Sequence, residues 1–148
     1  MNLEDESLIE VARSVWECTL SMVVDSAARA SDGGLAANDG LCWAVDIAGA
    51  FEGTVVLCVS EPLARAAAAA MLDRTAADTS LAEANEVVAE LTNMIGGNIK
   101  GLIEGSNRLS LPRAARPTEL LGPRRLRFSC STGDFTVAVN TAAGGASC

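Results

Sequence analysis

Glu90 and Asn93 stand three residues apart in a stretch whose apolar residues recur at helical spacing. On a helix such a pair sits side by side, with Cβ atoms ~5–6 Å apart. A carboxylate and a carboxamide are thereby offered together on one rigid element. They belong to a longer polar stripe, Glu83, Glu86, Glu90, Asn93 and Gly97, spaced by threes and fours. Glu86 and Glu90 are like charges one turn apart, which costs ~0.2–0.5 kcal/mol in an isolated helix. Gly96 and Gly97 fall inside the same helix, where each glycine costs ~0.8–1.0 kcal/mol relative to alanine. Glycine in such a place often means that another backbone comes close. The bland alternative is a solvated acidic face whose glycines serve packing.

The chemistry open to these groups is narrow. The chain has no histidine, which removes the usual general base, the commonest metal ligand and every Ser-His or Cys-His nucleophile arrangement. What remains is carboxylates, amides and hydroxyls, or groups that a partner brings. Five cysteines (Cys18, Cys42, Cys58, Cys130, Cys148) form an odd set with no C-x-x-C pair, which argues against a disulfide framework and a zinc ribbon. The first four lie in apolar surroundings and are expected to be small core residues.

The helix that carries the stripe starts at Ser80-Leu81-Ala82-Glu83, which fits a capping box, and runs to about residue 104. Ala84, Val87, Val88, Leu91, Ile95, Ile99 and Leu102 form its apolar stripe. An amphipathic helix is expected over residues 7–30, with Trp16 at the edge of its buried face, then a loop to Gly40. Residues 41–47 and 54–59 read as two strands, the second apolar enough to be central. Ser60-Glu61-Pro62 opens an alanine-rich helix with a capping hydroxyl. Leu109-Ser110-Leu111-Pro112 is a short extended piece, and 113–123 an irregular connector. Residues 124–131 and 135–139 pair as a hairpin around Thr132-Gly133-Asp134. Arg124, Arg125 and Arg127 are expected on a solvated strand edge.

The 148 residues fit one domain, 49% hydrophobic but only 3% aromatic, so the core is built from Ala, Val, Leu and Ile. Nineteen acidic against eleven basic residues give a net charge of −8, which disfavours nucleic acid and anionic membrane as partners. An acidic N-terminus and the lack of an uncharged apolar run of ~18 residues lead to the expectation of a cytoplasmic protein. Residues 141–148 are small and polar, expected as a flexible tail on a core of about 5–140.

The segment Glu90-Leu91-Thr92-Asn93-Met94-Ile95-Gly96-Gly97-Asn98-Ile99-Lys100 resembles the E-x-x-N signature of the CheX/CheC class of chemotaxis phosphatases, and CheX more closely. Asp46-Ile47-Ala48-Gly49-Ala50-Phe51-Glu52-Gly53-Thr54-Val55-Val56-Leu57 resembles the strand-turn-strand before the family's helices. Ser110-Leu111-Pro112 resembles its serine-leucine-proline segment. The sequence departs from the family pattern at Glu86, where Asp or Ser is usual, and at Pro117, which only roughly meets the spacing of a later proline. One signature helix is present, as in CheX, where CheC has two.

The resemblance implies a single α+β domain, a mostly antiparallel sheet covered by long amphipathic helices. It implies a homodimer, with strand 54–59 compatible with pairing between subunits. The implied substrate is the aspartyl phosphate of a CheY-type receiver domain. Asn93 would orient the attacking water, Glu90 would dock to the receiver's lysine, and Glu86 and Gly97 would touch the partner. No cofactor of its own is implied; Mg2+ comes with the receiver. The alternatives are a non-catalytic receiver-binding adaptor related to flagellar switch proteins, and a structural dimer with a wet helix face.

Overall fold

In the computed structural model, which describes residues 4–29, 40–120 and 124–141, ten helices and strands form one α+β domain. The helices are α1 (Asp5–Leu20), α2 (Glu61–Leu72) and α3 (Leu81–Leu102). The strands are β1 (Ser26–Arg29), β2 (Gly40–Gly49), β3 (Gly53–Ser60), β4 (Asn107–Leu109), β5 (Arg113–Ala114), β6 (Arg125–Ser129) and β7 (Asp134–Thr141). All pair antiparallel, in the order β1-β6-β7-β3-β2-β4, with β5 also on β2.

Side-chain alternation along the strands builds two unequal layers. Val45, Ile47, Val55, Leu57, Val59, Phe135 and Val137 face the three helices and form the main core with Leu8, Trp16, Leu63, Leu91 and Ile95. Ala44, Val56, Cys58 and Ala138 face the other way, where Leu120 covers them. The short 3-10 turn Pro117–Leu120 carries that lid.

Several expectations need correction. α1 stops at Leu20, ten residues early: Ser21 takes a left-handed conformation (φ 55°) and donates its N–H to the Glu17 carbonyl. The chain then turns back to pair β1 with β6, a role that Ser-Ala-Ala-Arg does not advertise by strand propensity. Of the expected tail over 141–148, Thr141 is the last residue of β7; residues 142–148, with Cys148, and the expected loop over 31–39 lie outside the described residues. Trp16 is at the centre of the core, not at its margin, stacked on Phe135 with ring centroids 3.9 Å apart.

Ser60 does precede α2, but its hydroxyl makes no capping hydrogen bond. Leu102 is exposed and Ile103 takes the buried place. The connector after Pro112 is partly regular, with β5 and the 3-10 turn. β6 is an inner strand, because β1 covers it, so its arginines do not line an edge; Arg124 pairs with Asp5 and Arg127 with Asp134.

β3 is enclosed between β2 and β7 from Gly53 to Val59, so a homodimer cannot use strand 54–59 for pairing. The cysteines also differ from expectation. Cys42 and Cys58 are cross-strand partners with Cα atoms 4.0 Å apart, joined in a disulfide. Cys18 is exposed rather than in the core.

Candidate functional site

α3 opens with the capping box read from the sequence: Ser80 Oγ accepts from the Glu83 N–H, and Glu83 accepts from the Ser80 N–H. Glu83 also pairs with Arg74, so this member of the acidic stripe is spent on structure. Ala84, Val87, Val88, Leu91, Ile95 and Ile99 bury one face of the helix against the sheet and its sister helices. The Thr92 hydroxyl, fully buried, donates to the Val88 carbonyl at 2.7 Å and so needs no other partner.

Two contacts set α3 over the β2 side of the sheet. Near its start, Asn85 Oδ1 accepts from Trp43 Nε1 at 2.9 Å. Farther on, the missing side chain of Gly96 lets the helix settle on Val45: a Cβ there would stand 2.5 Å from Val45 Cγ2 and 3.3 Å from Leu109 Cδ1. Gly97 is different. A Cβ on it would meet only Leu109 Cδ2, at an ordinary 3.9 Å. The packing of this chain therefore explains the first glycine and leaves the second without an internal reason.

Glu86 and Glu90 are exposed and Asn93 is half-buried, all on the solvent side of α3 with half-buried Gly97. The helix carries three asparagines, and their side chains are not equivalent. Asn85 is held by Trp43 and donates to the Leu81 carbonyl; Asn98 donates to the Met94 carbonyl at 2.8 Å. Among the described residues, the Asn93 side chain has no hydrogen-bond partner, and neither the Glu86 nor the Glu90 carboxylate has an ion-pair or hydrogen-bond partner. The free carboxamide keeps one acceptor oxygen and two N–H donors for an outside molecule.

The sequence motif thus meets on one face: Glu86, Glu90, Asn93 and Gly97. Other residues shaping the site were not legible from spacing. Arg113 forms a two-sided clamp, with Asp46 at 3.0 Å from both Nε and Nη2, and with Glu119 at 3.0 and 2.7 Å. Its guanidinium holds both carboxyls below their ordinary range. Asp46 is 67 residues from Arg113, so no local pattern announces the pair. The clamp ties the segment after Leu109 to β2 and to the Pro117–Leu120 turn, on the face of the sheet that carries Ala44 and Leu120.

The family model described as "Chemotaxis phosphatase CheX" matches residues 41–131, which includes the whole of α3. Solved structures share the fold at low identity. The chemotaxis protein CheX from Vibrio vulnificus is 15% identical, with a TM-score of 0.70 over 93% of this chain and 95% of that one. A CheC-like superfamily protein from Shewanella sp. PV-4 is 16% identical, with a TM-score of 0.74 over 97% and 100%. CheX in a CheX-CheY-BeF3-Mg2+ complex from Borrelia burgdorferi is 20% identical, with a TM-score of 0.66 over 91% and 96%. None of the curated proteins matches at the sequence level.

Proposed function

This chain belongs to the CheX family of chemotaxis phosphatases, and on that premise we propose that it hydrolyses the aspartyl phosphate of a CheY-type receiver domain with Asn93 and Glu90. The observation that carries the residue assignment is the free carboxamide of Asn93, beside the unpaired carboxylate of Glu90, on a helix whose other asparagines are engaged. A CheX in complex with CheY, BeF3 and Mg2+ is known from Borrelia burgdorferi, which supports a receiver as partner.

An acyl phosphate is already reactive, and the receiver supplies Mg2+ and a lysine to hold its oxygens. What is left to supply is a water in line with the bond to be broken. Asn93 Oδ1 accepts from that water, while Nδ2 donates to a phosphoryl oxygen. Water oxygen bonds to phosphorus as the bond to the aspartyl oxygen breaks, and inorganic phosphate leaves. A neutral amide suits this place because a carboxylate would repel the phosphoryl group. Glu90 pairs with the receiver's lysine and fixes where the helix lies. Glu86, one turn before Glu90, and Gly97, one turn after Asn93, flank that contact.

The test is decay of a Mg2+-loaded, phosphorylated CheY-type receiver with wild-type protein and with Asn93→Ala. Acceleration by the wild type and its loss by about a hundredfold in the variant is expected, with binding to the receiver retained. Binding without acceleration by the wild type would move the assignment to an adaptor. Absence of binding across receivers would leave a shared fold only.

A further inference from the structure

We propose that Leu111 is a partner-specificity residue of the same site, the apolar contact that seats the receiver beside Asn93; this rests on the phosphatase reading above. Leu111 is 85% exposed, the most exposed large hydrophobic side chain among the described residues. It is not on a loose loop. Leu109 pairs with Ile47 and Arg113 with Ala44, so residues 110–112 stand opposite only Val45 and Asp46 and form a β-bulge on the edge of the sheet. Bulges of this kind re-aim a side chain next to functional sites.

The bulge is fixed from both sides. Ser110 donates its N–H to the Asp46 carbonyl at 2.8 Å and accepts the Asp46 N–H on Oγ at 2.8 Å. The Ser110 hydroxyl donates in turn to the Leu111 carbonyl at 3.0 Å. Pro112 follows, and then Arg113 locks onto Asp46 and Glu119. So much restraint around a leucine left in water is a cost without a return inside the chain.

Its position relative to α3 gives the return. Leu109, two residues before it, packs under Gly96 and Gly97. Ala114, three residues after it, pairs with Trp43, which holds Asn85. Leu111 therefore lies on the sheet edge alongside the part of α3 between Asn85 and Gly97, which contains Glu86, Glu90 and Asn93. A specific protein interface covers ~800 Å2 on each partner with an apolar centre. The exposed stripe of α3 is polar, so a body docked on Asn93 must find its apolar contact beside the helix. The other exposed leucines of α3, Leu81 and Leu102, stand twelve and nine residues along the helix from Asn93, or about 18 and 13 Å by helical rise.

Receiver dephosphorylation is measured at increasing receiver concentration for wild type, Leu111→Ser, Leu111→Met and, as a control remote from the site, Val23→Ser. Leu111→Ser is expected to raise KM about tenfold with kcat within about twofold, while Leu111→Met and Val23→Ser stay near wild type. The thermal midpoint of Leu111→Ser is expected to match wild type. An unchanged KM, a fall in kcat alone, or a lowered midpoint would each overturn the assignment. If wild type itself fails to accelerate decay, the phosphatase reading falls and Leu111 loses its partner with it; the wild-type arm tells the two failures apart.

Discussion

Gly96 and Gly97 look interchangeable in the sequence, and the fold separates them. At Gly96 an added Cβ runs into Val45 at 2.5 Å, a short branched side chain fully buried in the main core. Gly96→Ala is therefore expected to destabilise by about 1–3 kcal/mol through overpacking, more than the helix-propensity gain returns. At Gly97 the added methyl meets ordinary contact distance, so Gly97→Ala is expected to stabilise the free protein by about 0.5–1 kcal/mol. The same methyl should weaken receiver binding, since Gly97 lies one turn from Asn93 on the open face. Urea unfolding of both variants, with receiver titration of Gly97→Ala, checks the pair of expectations. Equal destabilisation by both would remove any distinction between the glycines. Which glycine serves the core was not legible from helix spacing, because the answer depends on Val45, some fifty positions earlier in the chain.

The elements divide into those the sequence announces and those that only pairing creates. α3 is announced: its capping box, apolar stripe and polar stripe are all local, and Glu90 and Asn93 fall where the spacing puts them. β2, β3 and the β6–β7 hairpin also follow from apolar runs and turn residues. β1 is not announced, since four small and polar residues become a strand by lying against β6. The extension of α1 past Leu20 fails for a related reason, as helical spacing continues through Met22 while the backbone turns at Ser21. Cys42 and Cys58 meet through the register of β2 and β3, which cysteine spacing alone does not encode.

The segment after β4 is held by charge, and its pH dependence follows. Asp46 and Glu119 have folded pKa values lowered chiefly by hydrogen bonds from Arg113, against an opposing effect of burial. Carboxyls of this kind contribute stability that is present above their unfolded values, about 3.9 for Asp and 4.3 for Glu. That contribution is lost as pH falls through the lowered folded values. Because the clamp is partly open to water, its worth is about 1 kcal/mol. Arg113→Met is expected to unfold more easily than wild type at pH 7, and the gap is expected to close between about pH 5 and pH 2. Urea midpoints across that range test it; a gap that persists at the acid end would assign the effect to lost packing instead.

Across the whole molecule, one aromatic column joins the layer behind the site. Trp16 of α1 stacks on Phe135 of β7 at 3.9 Å, and Phe135 stacks on Phe128 of β6 at 4.6 Å, all fully buried. In a chain with five aromatic residues, three spent in one stack concentrate much of the large-side-chain burial at one place. The column ties α1 to the sheet, and α1 packs in turn with α3 in the main core. The composition shows how few aromatics there are, but not that they meet, because Trp16 and Phe135 stand at opposite ends of the chain. Phe135→Ala removes the middle ring and is expected to cost about 3–5 kcal/mol, a large share of the 5–15 kcal/mol typical of a domain. Phe135→Leu, which keeps more of the volume, is expected to cost less. Urea unfolding followed by tryptophan fluorescence measures both, since Trp16 leaves the stack when the core opens. A cost below about 1 kcal/mol for Phe135→Ala would mean that α1 is held by its aliphatic contacts, and that the column adds little to the platform on which α3 presents Asn93.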